Sequence, residues 1–294
     1  MSGYAETELP NDFQRETMKI SETANFYDFT GQAIVVTGGT GALGSEIACG
    51  LVGLGAKVAI LGRNAEAANK VLDRMGARSD SAKFFFCDVQ ETDSVQKASS
   101  DVLAFYGRVD ALVNAAGGNN AKATTNPEQS FFDLPPEALR SVFNLNVLGT
   151  VLPSQIFGKL MAEQGRGSIL NITSMAAVRP LTRVAAYSAA KAAVSNFTQW
   201  LAVHLAQECS PNLRVNAIAP GFFITEQNRF LLTDPRTGEL TTRGKSILAH
   251  TPAGRFGTPE DLLSSVYWLL SPASSFVTGA VIPVDGGFGA YSGV

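Results

Sequence analysis

The run Thr37-Gly38-Gly39-Thr40-Gly41-Ala42-Leu43-Gly44 sets the architecture of this chain. It follows the apolar run 33–36, which is typical of a buried strand, and leads into 43–54, where apolar residues recur at helical spacing. Glycines at such a turn let the backbone approach a pyrophosphate, and the first N–H groups of the helix point at it. A plain tight turn is the alternative. The flanking strand and helix favour a dinucleotide site at Gly38, Thr40, Gly41, Leu43 and Gly44.

Working outward, six more short apolar runs are typical of buried strands: 57–61, 83–87, 109–113, 168–172, 214–218 and 281–284. Longer amphipathic segments, such as 187–207, lie between them. Because βαβ crossovers are right-handed, this alternation predicts an α/β fold: a doubly wound parallel sheet of Rossmann type. Ligands of such sheets bind at the carboxyl ends of the strands. The length of 294 residues fits a single domain.

Two segments stand apart from the alternation. Residues 1–29 are polar, lack the apolar stretch of a signal peptide, and are predicted to be an N-terminal extension of the domain 30–294. Residues 225–258 contain Asp234, Pro235, Gly238 and Gly244 and form a long excursion before the last strand. Because long connections in compact domains usually carry function, we expect a substrate loop there.

Composition excludes several classes of protein. A formal net charge of −3 lacks the basic surplus of a nucleic-acid binder, and no apolar run reaches the length of a membrane span. The three cysteines include no CxxC pair, which favours a reducing cytoplasm, and the two histidines show no metal-ligand spacing. We expect a soluble cytoplasmic protein with a small-molecule ligand and no metal.

The end of the second strand bears on the coenzyme. An acidic residue there usually holds the ribose hydroxyls of NAD, but Leu61-Gly62-Arg63-Asn64 offers none. Arg63 supplies a planar cation suited to a phosphate, so NADP is preferred over NAD, which stays possible; a solvated arginine is the alternative. Asp88, after the third strand, could meet the adenine amino group or cap the next helix.

Tyr187 and Lys191 lie four residues apart at the start of a predicted helix and so share one face. An ammonium beside a phenol is expected to lower the phenol pKa from its usual value of about 10, which would ease proton exchange. Ser174 follows a strand and could hold a substrate carbonyl, although a capping serine is the alternative. Asn146 lies in an apolar helical stretch and could anchor a relay water or simply bond a helix carbonyl.

Together with Asn114-Ala115-Ala116-Gly117, Pro220-Gly221 and Val284-Asp285-Gly286-Gly287, these residues resemble the short-chain dehydrogenase/reductase family over about 32–289. The resemblance implies a catalytic tetrad of Asn146, Ser174, Tyr187 and Lys191, and a homotetramer. It also implies coenzyme contacts from Asn64, Asp88, Val89, Asn114, Ala115, Ala116, Gly117, Tyr187, Lys191, Pro220, Gly221, Phe223 and Thr225. The middle glycine of the family's phosphate turn is Ala42 here.

Within the family, segments 117–125, 179–182, 225–232 and 250–294 resemble a sugar-acid branch, the D-mannonate oxidoreductases or fructuronate reductases. Polar residues suited to such a substrate are Asn119, Lys122, Ser174, Arg179, Asn228 and Arg229. One or more of Lys122, Arg179 and Arg229 is expected to bind the substrate carboxylate. That branch usually uses NAD, whereas Arg63 fits NADP.

Two other functions stay open from the sequence. One is a reductase of a different carbonyl, such as a 3-oxoacyl thioester, a ketogluconate, a cyclitol or a steroid, although the polar loops argue against a steroid. The other is a nucleotide-sensing module that uses the fold without chemistry. Such a sensor has no need of Tyr187 and Lys191 together.

Overall fold

The computed structural model describes residues 24–225, 229–234 and 236–293. Seven parallel strands form one sheet in the order β3-β2-β1-β4-β5-β6-β7. The strands are β1 (Ala33–Thr37), β2 (Lys57–Gly62), β3 (Ala82–Phe86), β4 (Ala111–Asn114), β5 (Gly167–Ile172), β6 (Leu213–Pro220) and β7 (Val281–Val284). The predicted doubly wound parallel sheet is confirmed, and each predicted apolar run forms a strand.

Helices connect the strands and cover both faces of the sheet. They are α1 (Ala42–Gly53), α2 (Ala65–Met75), α3 (Thr92–Tyr106), α4 (Pro136–Phe143), α5 (Gly149–Glu163), α6 (Ala185–Glu208), α7 (Arg229–Leu232), α8 (Thr242–Ala249) and α9 (Leu263–Leu270). A π-helical segment, Asn144–Leu148, joins α4 to α5. Short 3-10 turns lie at Ala24–Tyr27, Gly76–Ser81, Ala121–Ala123, Phe131–Asp133, Met175–Ala177, Pro259–Leu262 and Pro272–Ser274.

The core consists of two apolar layers, one on each face of the sheet. Along β1, Ile34 and Val36 join the layer that contains α1 and α9, whereas Val35 joins the layer that contains α3, α5 and α6. This alternation follows from the two-residue period of a strand. Burying each such side chain contributes about 1.5–3 kcal/mol to the stability of the fold. Both layers therefore stabilise the sheet whose carboxyl edge carries the site.

The strand order reverses between β1 and β4, which lie side by side with Thr37 opposite Asn114. A doubly wound sheet has its ligand crevice at this switch point, outside the carboxyl ends of the strands. The turns after β1 and β4 approach each other there, and Gly38 lies against Ala116. The fold therefore positions the glycine-rich turn at the crevice.

The predicted excursion leaves the sheet after β6 and contains α7 and α8. A bridge joins Phe223, just before the excursion, to Gly257 near its end, and a second bridge joins Thr233 to Leu240. At the other end of the chain, Phe29 is fully buried and packs against Tyr267. Within the described ranges, every helix is too short or too polar to cross a membrane.

Candidate active site

A cleft of about 580 Å³, here called the first cleft, opens above β1, β2 and β4. The glycine-rich turn forms its floor. Gly38 has φ +61°, and a methyl group added to it would lie 2.7 Å from the Ala116 backbone. A methyl group on Gly44 would lie 2.9 Å from the carbonyl carbon of Gly38 and overlap its oxygen. The missing side chains leave space in front of the α1 N-terminus, and this cradle fits a pyrophosphate.

Most of the predicted coenzyme residues line the first cleft: Gly38, Thr40, Gly41, Leu43, Gly44, Arg63, Asp88, Val89, Ala115, Ala116, Gly117, Tyr187 and Thr225. Pro220, Gly221, Phe223 and Lys191 line the adjoining second cleft instead. Asn64 and Asn114 line neither cleft. The Asn64 side chain caps α2 by accepting the Ala67 N–H at 3.0 Å, and the Asn114 amide donates to Ser154 and Asn171 below the crevice.

Arg63 and Asp88 form an ion pair at the adenosine end expected for this fold, with Arg63 Nη1 3.4 Å from Asp88 Oδ2. The other carboxylate oxygen of Asp88 accepts the Gln90 N–H at 3.1 Å. Asp88 therefore shapes the turn before α3 while it also lines the cleft. The Arg63 side chain is 63% exposed, so its guanidinium keeps donors free to bind an anion.

The second cleft, of about 240 Å³, brings Ser174, Tyr187 and Lys191 together. It shares Leu43, Gly117 and other wall residues with the first cleft, so the two are contiguous. Ser174 stands directly after β5, and Tyr187 and Lys191 project from the first turns of α6. A strand end and one helix face therefore deliver three polar groups to one place.

Lys191 is a buried ammonium, 3% exposed, in the floor of the second cleft. Its Nζ donates to the Ile172 carbonyl at 2.8 Å and lies 5.8 Å from the centre of the Tyr187 ring. Burial disfavours the charged form and lowers the pKa of Lys191 to about 8. Lys191 is thus a proton-exchanging group close to neutral pH.

Tyr187 is held as a neutral phenol. Burial raises its pKa, and the hydrogen bond with Ser174 opposes this shift without cancelling it. The predicted lowering of the Tyr187 pKa by Lys191 is not found in this structure, because burial disfavours the phenolate and the group that opposes the rise is Ser174. A neutral phenol is the form that can donate a proton.

Ser174 has the capping role that the sequence offered as the alternative, and it also lines the second cleft. Its Oγ accepts the Ala176 N–H at 3.1 Å and so caps the short turn Met175–Ala177. The same hydroxyl opposes the rise in the pKa of Tyr187. The cap fixes the rotamer of Ser174 and keeps its hydroxyl in the wall of the second cleft.

Asn146 lies in the π-helical segment, fully buried. Its Nδ2 donates to the carbonyls of Gly118 and Val142 at 2.7 and 2.8 Å, and its Oδ1 accepts the Gly118 N–H at 3.1 Å. The bond to Val142 is the helix-carbonyl bond of the alternative interpretation. A methyl group added to Gly117 would lie 2.8 Å from Asn146 Oδ1 and 3.1 Å from Lys191 Nζ, so the two side chains converge at this glycine.

The predicted substrate residues are spread more widely. Asn119 lines the first cleft and donates to Thr124 Oγ1 at 2.8 Å. Arg179 donates through Nε and Nη2 to the Gly289 carbonyl at 3.2 and 2.9 Å. Lys122 and Arg229 are exposed, and neither they nor Arg179 line either cleft. Asn228 lies outside the described residues.

Sequence reasoning missed several cleft residues: Gly62, Cys87, Gly118, Leu145, Ile172, Thr173 and Phe222. Most of them stand at or just after the end of a strand, so their position at the carboxyl edge could have identified them. Leu145 gave no such signal, because it comes from the π-helical segment. In the part of the chain that is described, no three His, Cys, Asp or Glu side chains group as a metal site.

Comparisons with known proteins agree with this geometry. A family model described as enoyl-(acyl carrier protein) reductase matches residues 38–289. An uncharacterized oxidoreductase of Bacillus subtilis strain 168, UxuB, is 46% identical over 276 residues, which are 91% of this chain and 98% of that protein. The 7alpha-hydroxysteroid dehydrogenase of Escherichia coli strain K12 is 34% identical over 87% of this chain and 94% of its own length.

A solved structure extends the comparison to three dimensions. The Haemophilus influenzae protein provisionally named a D-mannonate oxidoreductase, solved with bound NAD, has a TM-score of 0.85 and 43% identity. The match covers 91% of this chain and 98% of that one. Sequence, sheet order and the converging Ser, Tyr and Lys side chains agree: this chain belongs to the short-chain dehydrogenase/reductase family of NAD(P)-dependent oxidoreductases.

Proposed function

We propose that the enzyme interconverts a carbonyl and a secondary alcohol on a sugar acid, with D-fructuronate and D-mannonate as the substrate pair. The observation that carries the chemistry is the convergence of Ser174, Tyr187 and Lys191 on one cleft, contiguous with a glycine cradle. The substrate class is supported by the 43% identity to the Haemophilus influenzae protein and by the predicted substrate residue Asn119, which lines the first cleft.

In the proposed reaction, the residues handle the proton and the oxygen atom. A nicotinamide coenzyme, when bound, supplies the hydride to the carbonyl carbon. The hydroxyls of Ser174 and Tyr187 hold the carbonyl oxygen, and the Tyr187 proton passes to that oxygen as negative charge develops on it. In the oxidative direction, the same oxygen returns its proton to Tyr187.

Lys191 and Asn146 complete the proposed tetrad. With its pKa lowered to about 8, Lys191 can restore the proton that Tyr187 has given up. The Asn146 side chain holds both polar groups of the Gly118 backbone and so fixes the wall of the cleft beside Lys191. Its proposed role in the reaction is to keep this proton route in place.

A screen of carbonyl substrates tests the function. Initial rates would be compared for fructuronate, 5-ketogluconate, an acetoacetyl thioester and a 7-keto steroid, each with NADPH and with NADH. We expect the highest kcat/KM on fructuronate. A higher value on another substrate would refute the sugar-acid assignment, and tight coenzyme binding without reduction of any carbonyl would instead support a sensing module.

The coenzyme proposed is NADP, with NAD also accepted. Arg63 lines the first cleft at the end of β2, where no carboxylate follows the strand, and an arginine there suits a phosphate. We expect Arg63→Gln to raise the KM for NADPH about tenfold, the loss of one charge-assisted contact, with little change for NADH. The control is Lys97→Gln, which removes an exposed cation on α3. An equal effect on both coenzymes would contradict the assignment.

The proposal also includes a homotetramer in the cytoplasm. Trp200 and Val203 on α6 are 58% and 57% exposed, and Trp200 stacks on His204 with 4.9 Å between ring centres. Large apolar side chains exposed along one helix support a subunit contact. The three cysteines are free, which fits a reducing compartment.

A further inference from the structure

The turn that carries Ser174 is closed by hydrogen bonds of its own. Ser174 Oγ accepts the Ala176 N–H at 3.1 Å. The Met175 carbonyl accepts the Arg179 N–H at 2.8 Å. Residues 174–179, here called the Ser174 turn, therefore form one compact unit that begins at the second cleft and ends at an arginine.

Arg179 joins the Ser174 turn to a segment far along the chain. Its Nε and Nη2 donate to the Gly289 carbonyl at 3.2 and 2.9 Å. Gly289 belongs to residues 285–291, here called the C-terminal strap, which follow directly after β7. Because β7 is the last strand of the sheet, the guanidinium links the end of the turn to the sheet edge.

The C-terminal strap is itself fixed in place. Asp285 Oδ1 and Oδ2 accept the N–H groups of Gly287 and Gly289 at 2.9 and 2.7 Å. The Gly286 carbonyl accepts the Ala253 N–H at 2.9 Å, which ties the strap to the excursion. These bonds hold the strap at a defined position, so it offers the guanidinium a fixed acceptor.

The strap also makes two packing contacts next to the second cleft. Gly289 lies on Met175, the buried residue that follows Ser174, and a methyl group added to Gly289 would overlap Met175 Cε. The Phe288 ring meets the Phe222 ring nearly at right angles, with 5.1 Å between ring centres. Phe222 lines the second cleft. The strap therefore supports both the Ser174 turn and the wall of the cleft.

We propose that Arg179 is a positioning residue for Ser174, and that its bond to the Gly289 carbonyl holds the Ser174 hydroxyl where the substrate oxygen binds. This inference rests on the proposed role of Ser174 in the reaction. Arg179 lines neither cleft, so it acts through the turn and not by contact with the substrate. The inference replaces the carboxylate binding that the sequence suggested for this arginine.

The physical reason is the precision that the reaction requires. A group that holds a developing oxyanion has to stay within about 0.5 Å of its productive position, and a displacement of about 1 Å can cost about 10²-fold in rate. The bond to Ala176 fixes the rotamer of Ser174 but not the position of the turn as a whole. The bond from Arg179 to the strap supplies this second constraint.

A double-mutant cycle on the single-turnover rate tests the role, because that rate excludes product release. It uses the coenzyme-loaded enzyme and the substrate with the highest kcat/KM in the carbonyl screen. Ser174→Ala should lower the rate about 10²–10³-fold, the cost of removing one oxyanion donor. Arg179→Gln should lower it about tenfold by displacing the turn, and Arg179→Lys, which keeps a cationic donor, should regain part of that loss.

The double variant should react at the rate of Ser174→Ala alone, because the position of the turn no longer matters once the hydroxyl is gone. A purely structural effect of Arg179 would persist in that background. Arg78→Gln is the matched control, since Arg78 Nη1 also donates to a glycine carbonyl, that of Gly53, at 3.0 Å and lines neither cleft. It should keep the wild-type rate, and coenzyme affinity should stay unchanged in every variant.

The outcomes separate this inference from the proposed function. A wild-type rate for Arg179→Gln, or effects of the two substitutions that multiply in the double variant, would overturn the positioning role while the proposed chemistry stands. A wild-type rate for Ser174→Ala would instead refute the proposed role of Ser174, and the positioning role with it.

Discussion

Tyr187→Phe should lower kcat by about 10²–10⁴-fold, the range that a positioned general acid or base contributes. The substitution removes the hydroxyl that donates the proton and leaves the ring, so the shape of both clefts is kept. Coenzyme affinity should stay within about twofold, because the glycine cradle and Arg63 are untouched. Steady-state kinetics and a fluorescence titration of the coenzyme measure the two effects.

Tyr106→Phe is the matched control for this variant. Tyr106 is partly buried and lines neither cleft, and its hydroxyl donates to the Val58 carbonyl at 3.0 Å. The control should lose about 1 kcal/mol of stability, the usual worth of such a bond, and keep its activity. Substantial residual turnover by Tyr187→Phe would exclude the phenol as the proton donor.

Gly44→Ala should weaken coenzyme binding by about fivefold to 150-fold, the equivalent of the 1–3 kcal/mol that overpacking costs. The new methyl group would overlap the Gly38 carbonyl and lie 3.1 Å from the Gly39 Cα, so the phosphate-binding turn has to move. Backbone atoms cannot yield as a flexible side chain does. The dissociation constant of NADPH and the melting temperature are the readouts.

Gly53→Ala provides the control in the same helix. A methyl group there meets only Arg78 Nη1 at 3.6 Å, an ordinary contact. This variant should bind the coenzyme as the wild type does. If Gly44→Ala also binds normally while remaining folded, the pyrophosphate does not rest on this turn.

The strands and the helices α1 and α6 could be predicted from the sequence because their apolar residues follow local patterns. Burial on both faces made each strand a continuous apolar run, and α1 and α6 show helical spacing. The ends of the strands were predicted less well. The apolar run 109–113 predicts a strand, but in the structure that strand begins at Ala111. Val109 is buried but lies before the sheet pairing, and apolar character alone does not distinguish the two.

The convergence of the proposed reacting groups on one cleft could also be predicted from local spacing. Tyr187 and Lys191 are one helical turn apart, and Ser174 ends a strand, so each position needed only a short window of sequence. The pKa of Tyr187 was not accessible in this way. The direction of the pKa shift depends on how deeply the fold buries the phenol, and that burial is a property of the whole site.

Contacts between distant segments explain the remaining differences. The bond from Arg179 to Gly289 spans 110 residues, so the local sequence could not show that this guanidinium already has a partner. The local pattern around Asn146 predicted a helix, whereas the structure has a π-helical segment there. Sequence spacing carries no information on such tertiary choices.

Transfer of deuterium from the nicotinamide C4 of labelled NADPH to the product would decide whether this site performs carbonyl reduction. The wild-type enzyme should place one deuterium on the carbinol carbon of the reduced sugar acid, as seen by mass spectrometry, and Tyr187→Phe should form this product far more slowly. Coenzyme bound tightly by the wild type, with no label reaching any carbonyl substrate, would show that the cleft holds a nucleotide without chemistry.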